Sequence, residues 1–404
     1  MICDQTLKSL SRPLRVQLLT IVIVRLVFNT SHRMIYPFLS YFARGLGVDL
    51  NTMSYALTAR SLTGFFSPLL ASVADSRGRK AGMLFGLFLF SLGVSLVVFW
   101  PVYPVFALSL VVSTAGYLVF VPSLQAYLGD HVSYAQRGLV MALSEIAWSI
   151  SAIVGVPLVG FLIARQGWLA PFPLLVLLGL LSFALLWRIL PRDPAVAAAQ
   201  PNLWANLRRV FTYPPALAGL LMVMLYSTAN ELVTFVYGVW IEDRFALAIA
   251  SLGAAALGIG LAELGGEALV GGLTDRMGKQ RAIAIGVLLN CLSAVVLVLF
   301  GRWLPGALVG LFLFYLTFEF TLVSGIPLMS EILPPARATL MAAHMALISL
   351  GRAVGDLLAP RLFTNPWLPG MDANAWGAIL FNLLALLLLR RVVVKTTPLS
   401  GESG

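Results

Sequence analysis

The sequence predicts an all-α membrane protein with twelve transmembrane helices in two pseudo-symmetric six-helix halves. Three observations predict this. The 404-residue chain is 59% hydrophobic and only 11% charged, which no ordinary soluble domain matches. Twelve apolar windows have the length a spanning helix needs, about 20 residues. The segment Ala71-Ser-Val-Ala-Asp75-Ser-Arg-Gly78-Arg79-Lys80 also returns, 200 residues later, as Gly271-Gly-Leu-Thr-Asp275-Arg-Met-Gly278-Lys279-Gln280. At the same offset Arg137 matches Arg337, Met141 matches Met341, Gly155 matches Gly355 and Leu158 matches Leu358. A parallel repeat of this kind makes two halves related by an axis along the membrane normal.

The first half, 1–190, holds windows near 16–43, 52–73, 81–100, 103–128, 139–164 and 170–190. The second, 215–404, holds windows near 215–241, 249–273, 282–301, 305–327, 338–363 and 374–393. Between them, 191–214 carries Pro191, Pro194, Pro201 and Pro214 and reads as a linker. The runs are too many and too long for the core of one soluble domain.

The net charge of +10 does not mark a nucleic-acid binder. Eighteen of the 27 Lys and Arg lie in the termini and even-numbered gaps, and only Arg44, Arg165, Arg244, Arg302 and Arg361 lie in odd-numbered gaps. That asymmetry places both termini in the cytoplasm of a multi-pass inner-membrane protein. Polar and charged residues interrupt the first fifteen positions, and the span that follows carries Arg25, so no cleavable signal is expected. Cys3 and Cys291 predict no disulfide, and with three scattered histidines they predict no metal site. No P-loop, dinucleotide turn or nucleophile–base set appears, so neither a cofactor nor enzyme activity is expected.

The doubled G-x-x-x-D-R-x-G-R/K loop, the twelve spans and the central linker resemble the major facilitator superfamily over nearly the whole chain. The first copy departs from the pattern, with Ala71 for the leading Gly and Ser76 for Arg. Gly78 and Gly278 suit tight reversals. Asp75 and Asp275 can meet a helix N-terminus. Arg79 has Asp130 as its candidate partner, and Lys279, beside Arg276, has Glu331. The resemblance implies that such networks latch a cytoplasmic gate. Gly155-Val-Pro157-Leu-Val-Gly160 is similar to the antiporter motif of drug exporters, with Val156 and Val159 as departures. The fourth span also lacks the intramembrane Arg of that branch. Close helix packing with a bend is the other reading of this run.

Ionisable groups inside a bilayer are costly and mark function or pairing. The first-half spans hold Arg25, Arg33, Arg60 and His32 against Glu145; the second-half spans hold Glu231, Glu263, Glu267, Glu319 and Asp356 against Arg352. The halves thus differ in sign. At about 1.5 Å rise per residue, Glu263 and Glu319 share a mid-membrane depth with Arg60 and Arg352, and Glu267 lies one turn from Glu263. Arg25 and Glu145 sit at one shallower depth and form a candidate structural pair. Either these groups lock the helices together, or a second-half acid carries a proton while a first-half Arg or the cavity surface takes substrate. Glu263 and Glu319 are the preferred carriers, ahead of Glu231 and Asp356. His32 reads as a packing histidine or a proton relay. Tyr36, Phe38, Tyr41, Phe42, Phe235, Tyr237 and Trp240 lie toward the outer ends of two spans and read as an interfacial belt, with a substrate-stacking wall as the alternative.

The expectation is a secondary active transporter that works by alternating access, coupling protons to export of a small organic molecule from a bilayer as a monomer. Proton-coupled uptake of a nutrient or organic anion is the alternative within transport. A non-transporting membrane sensor or scaffold is the alternative of another class.

Overall fold

A computed structural model describes residues 12–67, 69–70, 78–132, 140, 144–191 and 203–392, apart from the side chains of Arg12, Pro13, Leu203, Trp204, Ala250 and Asp275. The first half runs α1 (Arg12–Arg33), α2 (Leu39–Leu46), α3 (Leu50–Phe65), α4 (Arg79–Phe99), α5 (Tyr103–His131), α6 (Ser144–Gln166) and α7 (Pro171–Ile189). A short α8 (Leu203–Thr212) interrupts the stretch read as linker. The second half runs α9 (Pro214–Phe245), α10 (Ile249–Met277), α11 (Lys279–Phe300), α12 (Leu304–Ile332), α13 (Arg337–Phe363) and α14 (Met371–Leu389). Eleven helices among the described residues are long and apolar enough to cross a membrane. The remaining span begins as α3, 16 residues long, and its window continues into residues outside the described set. Large apolar side chains such as Leu19, Leu180, Leu292 and Leu387 are exposed, as lipid-facing positions require.

The first span is not continuous. Pro37 has no N–H to donate and its ring obstructs a helical turn. The chain leaves α1 at Arg33, turns through 34–38 and resumes as α2. Asp49 then caps α3 by accepting from Thr52 N, 2.8 Å away. The fifth span is irregular for a related reason. Pro157 removes a donor, and a π-helical turn forms just before it at Ser151–Gly155, with Val156 N–H bonded to Ser151 O.

Small residues set the helix approach, as expected where lipid supplies no hydrophobic drive between helices. A Cβ at Gly86 would meet Gly116 O, and one at Gly116 would meet Gly86 O, so α4 and α5 touch backbone to backbone. Gly78 and Gly278 stand at φ 93° and 83°, left-handed values that a side chain disfavours. They start α4 and α11 at the repeated loop.

The halves meet along α3 against α13 and along α6 against α10. The repeat relates α3 to α10 and α6 to α13, so these are two copies of one contact. The apolar core shows how far they meet. One cluster takes first-half residues at every depth, including Leu18, Leu128 and Leu186, but from the second half only the part away from the chain ends: Ala229 to Ile241, Leu252 to Ala262, Ala294 to Tyr315 and Ala359 to Ala378. The rest of the second half, from Val210 to Tyr226 and from Phe318 to Ile348, packs as a separate cluster. Among the described residues, the halves share a core only at the end distal to Arg12 and Leu389.

Candidate functional site

The sign difference between the halves becomes a set of contacts across their interface. Arg33, the last residue of α1, places Nη1 2.7 Å from Glu263 Oε2 on α10. The guanidinium lies 4.6 Å over the ring of Trp148 on α6, a cation–π arrangement. Glu267 is one turn along α10 and half-buried. Gly266, between the two acids, leaves room for Glu319 of α12: a Cβ there would meet the Glu319 side chain. Glu319 is itself buried. The three acids therefore line one seam between α10 and α12.

A second cluster lies on the α3–α13 contact. Arg60 donates to the Tyr36 hydroxyl and, over 3.1 Å, to His32 O at the end of α1. Tyr36 donates to Glu231 Oε1 at 2.6 Å. Ser61 donates to Asp356 Oδ2 at 2.7 Å. Arg352 Nε lies 4.0 Å from Glu231 Oε2. Arg60, Glu231 and Asp356 are buried to within 2% of full burial. An isolated charge in such a place costs several kcal/mol by roughly any account, so the pairing is what makes these positions tolerable.

At the distal end Glu242 of α9 accepts from Ser40 and, at 2.6 Å, from Arg44, both on α2. The break in the first span is seated on Gly238, where a Cβ would strike Tyr36 O and Pro37 O. Other ion pairs stay inside one half. Arg25 grips Glu145 through two bonds of 2.6 and 2.7 Å. Arg79 Nε is 3.3 Å from Asp130, and Lys279 pairs with Glu331. Arg276 is exposed. Asp75 lies outside the described residues, as does the side chain of Asp275.

One sequence reading changes. The aromatics do not form an interfacial belt. Tyr36, Phe38, Phe42, Phe235, Tyr237 and Trp240 are buried, because α2 and the outer part of α9 face each other rather than lipid. Tyr41 is half-buried beneath the Arg44 guanidinium, 4.4 Å from the ring centre. His32 is held by rings, stacked on Tyr117 at 6.3 Å and beside Trp148 at 6.1 Å. The Gly155–Gly160 run packs closely: Gly155 faces Thr30, Gly160 faces Phe38, and Gly253 of α10 faces Pro157.

Sequence reasoning missed Ser61, Tyr36 as a polar bridge, Glu242 as a clasp, and two asparagines. Asn29 on α1 and Asn230 on α9 are buried, and both amide atoms of Asn29 and Oδ1 of Asn230 have no protein partner among the described residues. Asn29 is one turn before Arg33 and Asn230 precedes Glu231. Buried amides without partners mark where a ligand or water must donate or accept. At the 200-residue offset Asn29 falls on Ala229 rather than Asn230, so the repeat does not flag them.

A family model described as Major Facilitator Superfamily matches residues 21–356. The chain belongs to this superfamily. Membership of this transporter family points to transport rather than catalysis. An uncharacterised MFS-type transporter of Bacillus subtilis, YceJ, is 25% identical over 385 residues, 94% of this chain and 95% of that one. The multidrug resistance protein fnx1 of Schizosaccharomyces pombe is 30% identical over 146 residues, 35% of this chain and 27% of that one. Among solved structures, a bacterial homologue of the human lysosomal transporter Spinster, inward-facing and unoccupied, superposes with a TM-score of 0.74 at 13% identity, covering 95% of this chain and 98% of the other. At that identity the likeness concerns the fold.

Proposed function

We propose that this superfamily member is a proton-coupled exporter of a small organic molecule, working by alternating access between its two halves. The Arg33–Glu263 pair carries the reading, because it joins the halves and has Glu319 and Glu267 beside it. A carboxylate next to a guanidinium holds its charge; once the halves separate and the guanidinium withdraws, the same group is left beside two other acids and takes a proton. Movement between those settings loads and releases one proton per cycle. The partial similarity to a multidrug resistance protein supports export. With both termini cytoplasmic, the shared core at the distal end means an arrangement closed to the outside, in keeping with the inward-facing structure it resembles. The repeated loops, with Asp75 and Asp275, act as the latch of the opposite arrangement.

Arg33, Arg60 and Arg352 all lie within electrostatic reach of His32. This favours a second reading, uptake of an organic anion held by the guanidiniums.

The test begins with a ligand-stabilisation screen on purified protein, followed by transport of the hits in proteoliposomes. Glu263→Gln and Glu319→Gln keep shape and hydrogen bonding but cannot carry the proton. At least one should abolish transport driven by a pH gradient and leave counterflow intact. Full gradient-driven transport in both would remove the coupling assignment. Cysteines at Ser9 and Ser400 should resist an impermeant reagent in intact cells; labelling from outside would invert the topology.

A further inference from the structure

We infer that Glu231 and Asp356 form a carboxyl–carboxylate dyad that holds a single shared proton, a proton site separate from the seam of Glu263 and Glu319. The two acids come from α9 and α13 of the second half. Gly355 brings them together, since a Cβ there would strike the Glu231 side chain. Asp356 follows Gly355 directly in the chain, on the helix that packs against α9, so its carboxyl stands next to Glu231.

The count of donors points to the proton. Asp356 Oδ2 accepts from Ser61 and Glu231 Oε1 from Tyr36. Asp356 Oδ1 is fully buried and has no donor among the described residues. Two ionised carboxylates offer acceptors only, and two like charges in contact cannot both stay ionised in a dry site. One proton between the two acids satisfies the orphaned oxygen and removes the repulsion.

Among the described residues, none of the surrounding donors bonds Asp356 Oδ1. Arg60 on α3 gives its two terminal nitrogens to Tyr36 and His32 O. Arg352, on the same helix as Asp356, keeps its Nε 4.0 Å from Glu231 and makes no hydrogen bond with it. From α12, Tyr315 bonds Thr234. From α14, the neutral Asn374 donates to Leu232 O and Ala359 O. A metal cation is disfavoured, because Ser61 and Tyr36 already turn their protons toward the acids and two guanidiniums supply positive charge. Ser61 and Tyr36 belong to the first half. Separation of α3 from α13 therefore withdraws both donors from the dyad at once and changes its hold on the proton.

Infrared spectroscopy of the purified protein at neutral pH reads this directly, without any transport assay, so it can fail or succeed independently of the coupling role given to Glu263 and Glu319. The wild-type protein should show a protonated-carboxyl carbonyl band that disappears in Glu231→Gln and disappears equally in Asp356→Asn. The double variant should lose no more than either single variant. Ser61→Ala and Tyr36→Phe, which leave both acids in place, should shift the band without removing it. No band lost in either single variant means both acids are ionised, with water as the missing donor, and overturns the dyad. Separate bands lost in the two variants, summing in the double, mean two protons and overturn sharing. Loss of the band on adding sodium at constant pH assigns the site to a metal cation and also overturns it.

Discussion

Two sets of polar contacts divide this molecule. Arg33–Glu263, Tyr36–Glu231, Ser61–Asp356 and Arg44–Glu242 cross from one half to the other. Arg25–Glu145, Arg79–Asp130 and Lys279–Glu331 stay within one half. The crossing set is mostly buried and lies at mid-depth or at the distal end. In the internal set the acid is the more accessible partner of every pair, at 47%, 54% and 42% against 2%, 18% and 28% for the bases. A rocking motion must break the first set and can leave the second intact. Crossing contacts therefore set the balance between arrangements, and internal ones hold each half rigid while it moves.

The largest expected break in this division comes from Glu263→Gln. It strands the buried Arg33 charge, a change worth about 3–5 kcal/mol when a buried pair loses one partner. The distal end should open, read as a longer distance between spin labels at Val48 and Leu247, and the melting temperature should fall. Unchanged distance and stability together would show that the pair does not hold the halves.

Gly238→Ala should come next. The added Cβ meets backbone rather than a movable side chain, and overpacking of this kind costs about 1–3 kcal/mol. The same label pair should move apart, while the melting of each half stays near wild type. A shift confined to stability would make Gly238 an ordinary packing residue.

Arg44→Ala is a finer test. Arg44 is 57% exposed and Glu242 14%, so solvent screens the pair and its worth is about 0.5 kcal/mol, roughly a twofold change in population. Salt at about 1 M, where the screening length is about 3 Å, should reproduce the effect in the wild-type protein and add nothing to the variant. A tenfold effect would mean that Ser40 and Arg44 form the principal gate.

The smallest effect belongs to the internal set. A double-mutant cycle on Arg79 and Asp130 should give a thermal-stability coupling below about 1 kcal/mol. A coupling as large as that of Arg33 with Glu263 would erase the division between the sets.

The same division marks what could be read in the sequence. Arg79–Asp130, Lys279–Glu331 and Arg25–Glu145 were accessible because each pair joins two spans of one half. Counting depth along helices and the repeat narrows those partners to a few. The partners of Arg33, Glu231 and Asp356 were not, because they depend on how one half is rotated against the other, and no periodicity records that angle. Hydropathy also could not separate lipid from protein as the cover for Phe38, Phe235 and Trp240, since both are apolar. Pro37 was visible, but a single proline inside a long apolar window does not reveal whether the helix bends or stops. Asn29 and Asn230 looked like ordinary polar residues until burial removed their water.

The π-helical turn at Ser151–Gly155 has a rotational consequence. An α-helix advances about 100° around its axis per residue. A π-turn holds one surplus residue, so the helix before it is out of phase, by about that angle, with the helix after it. Glu145 and Trp148 precede the turn, and Pro157 and Gly160 come after it. The first pair owes its facing, toward Arg25 and Arg33, to the surplus. Deleting Ile153 would restore an even winding and swing Glu145 and Trp148 away from both arginines, although no contacting side chain had been changed. Cysteines at positions 25 and 145 should then cease to cross-link, whereas Ile153→Ala should leave the link in place. The fifth span thus carries two azimuths on one rod, and the turn sets the phase between them.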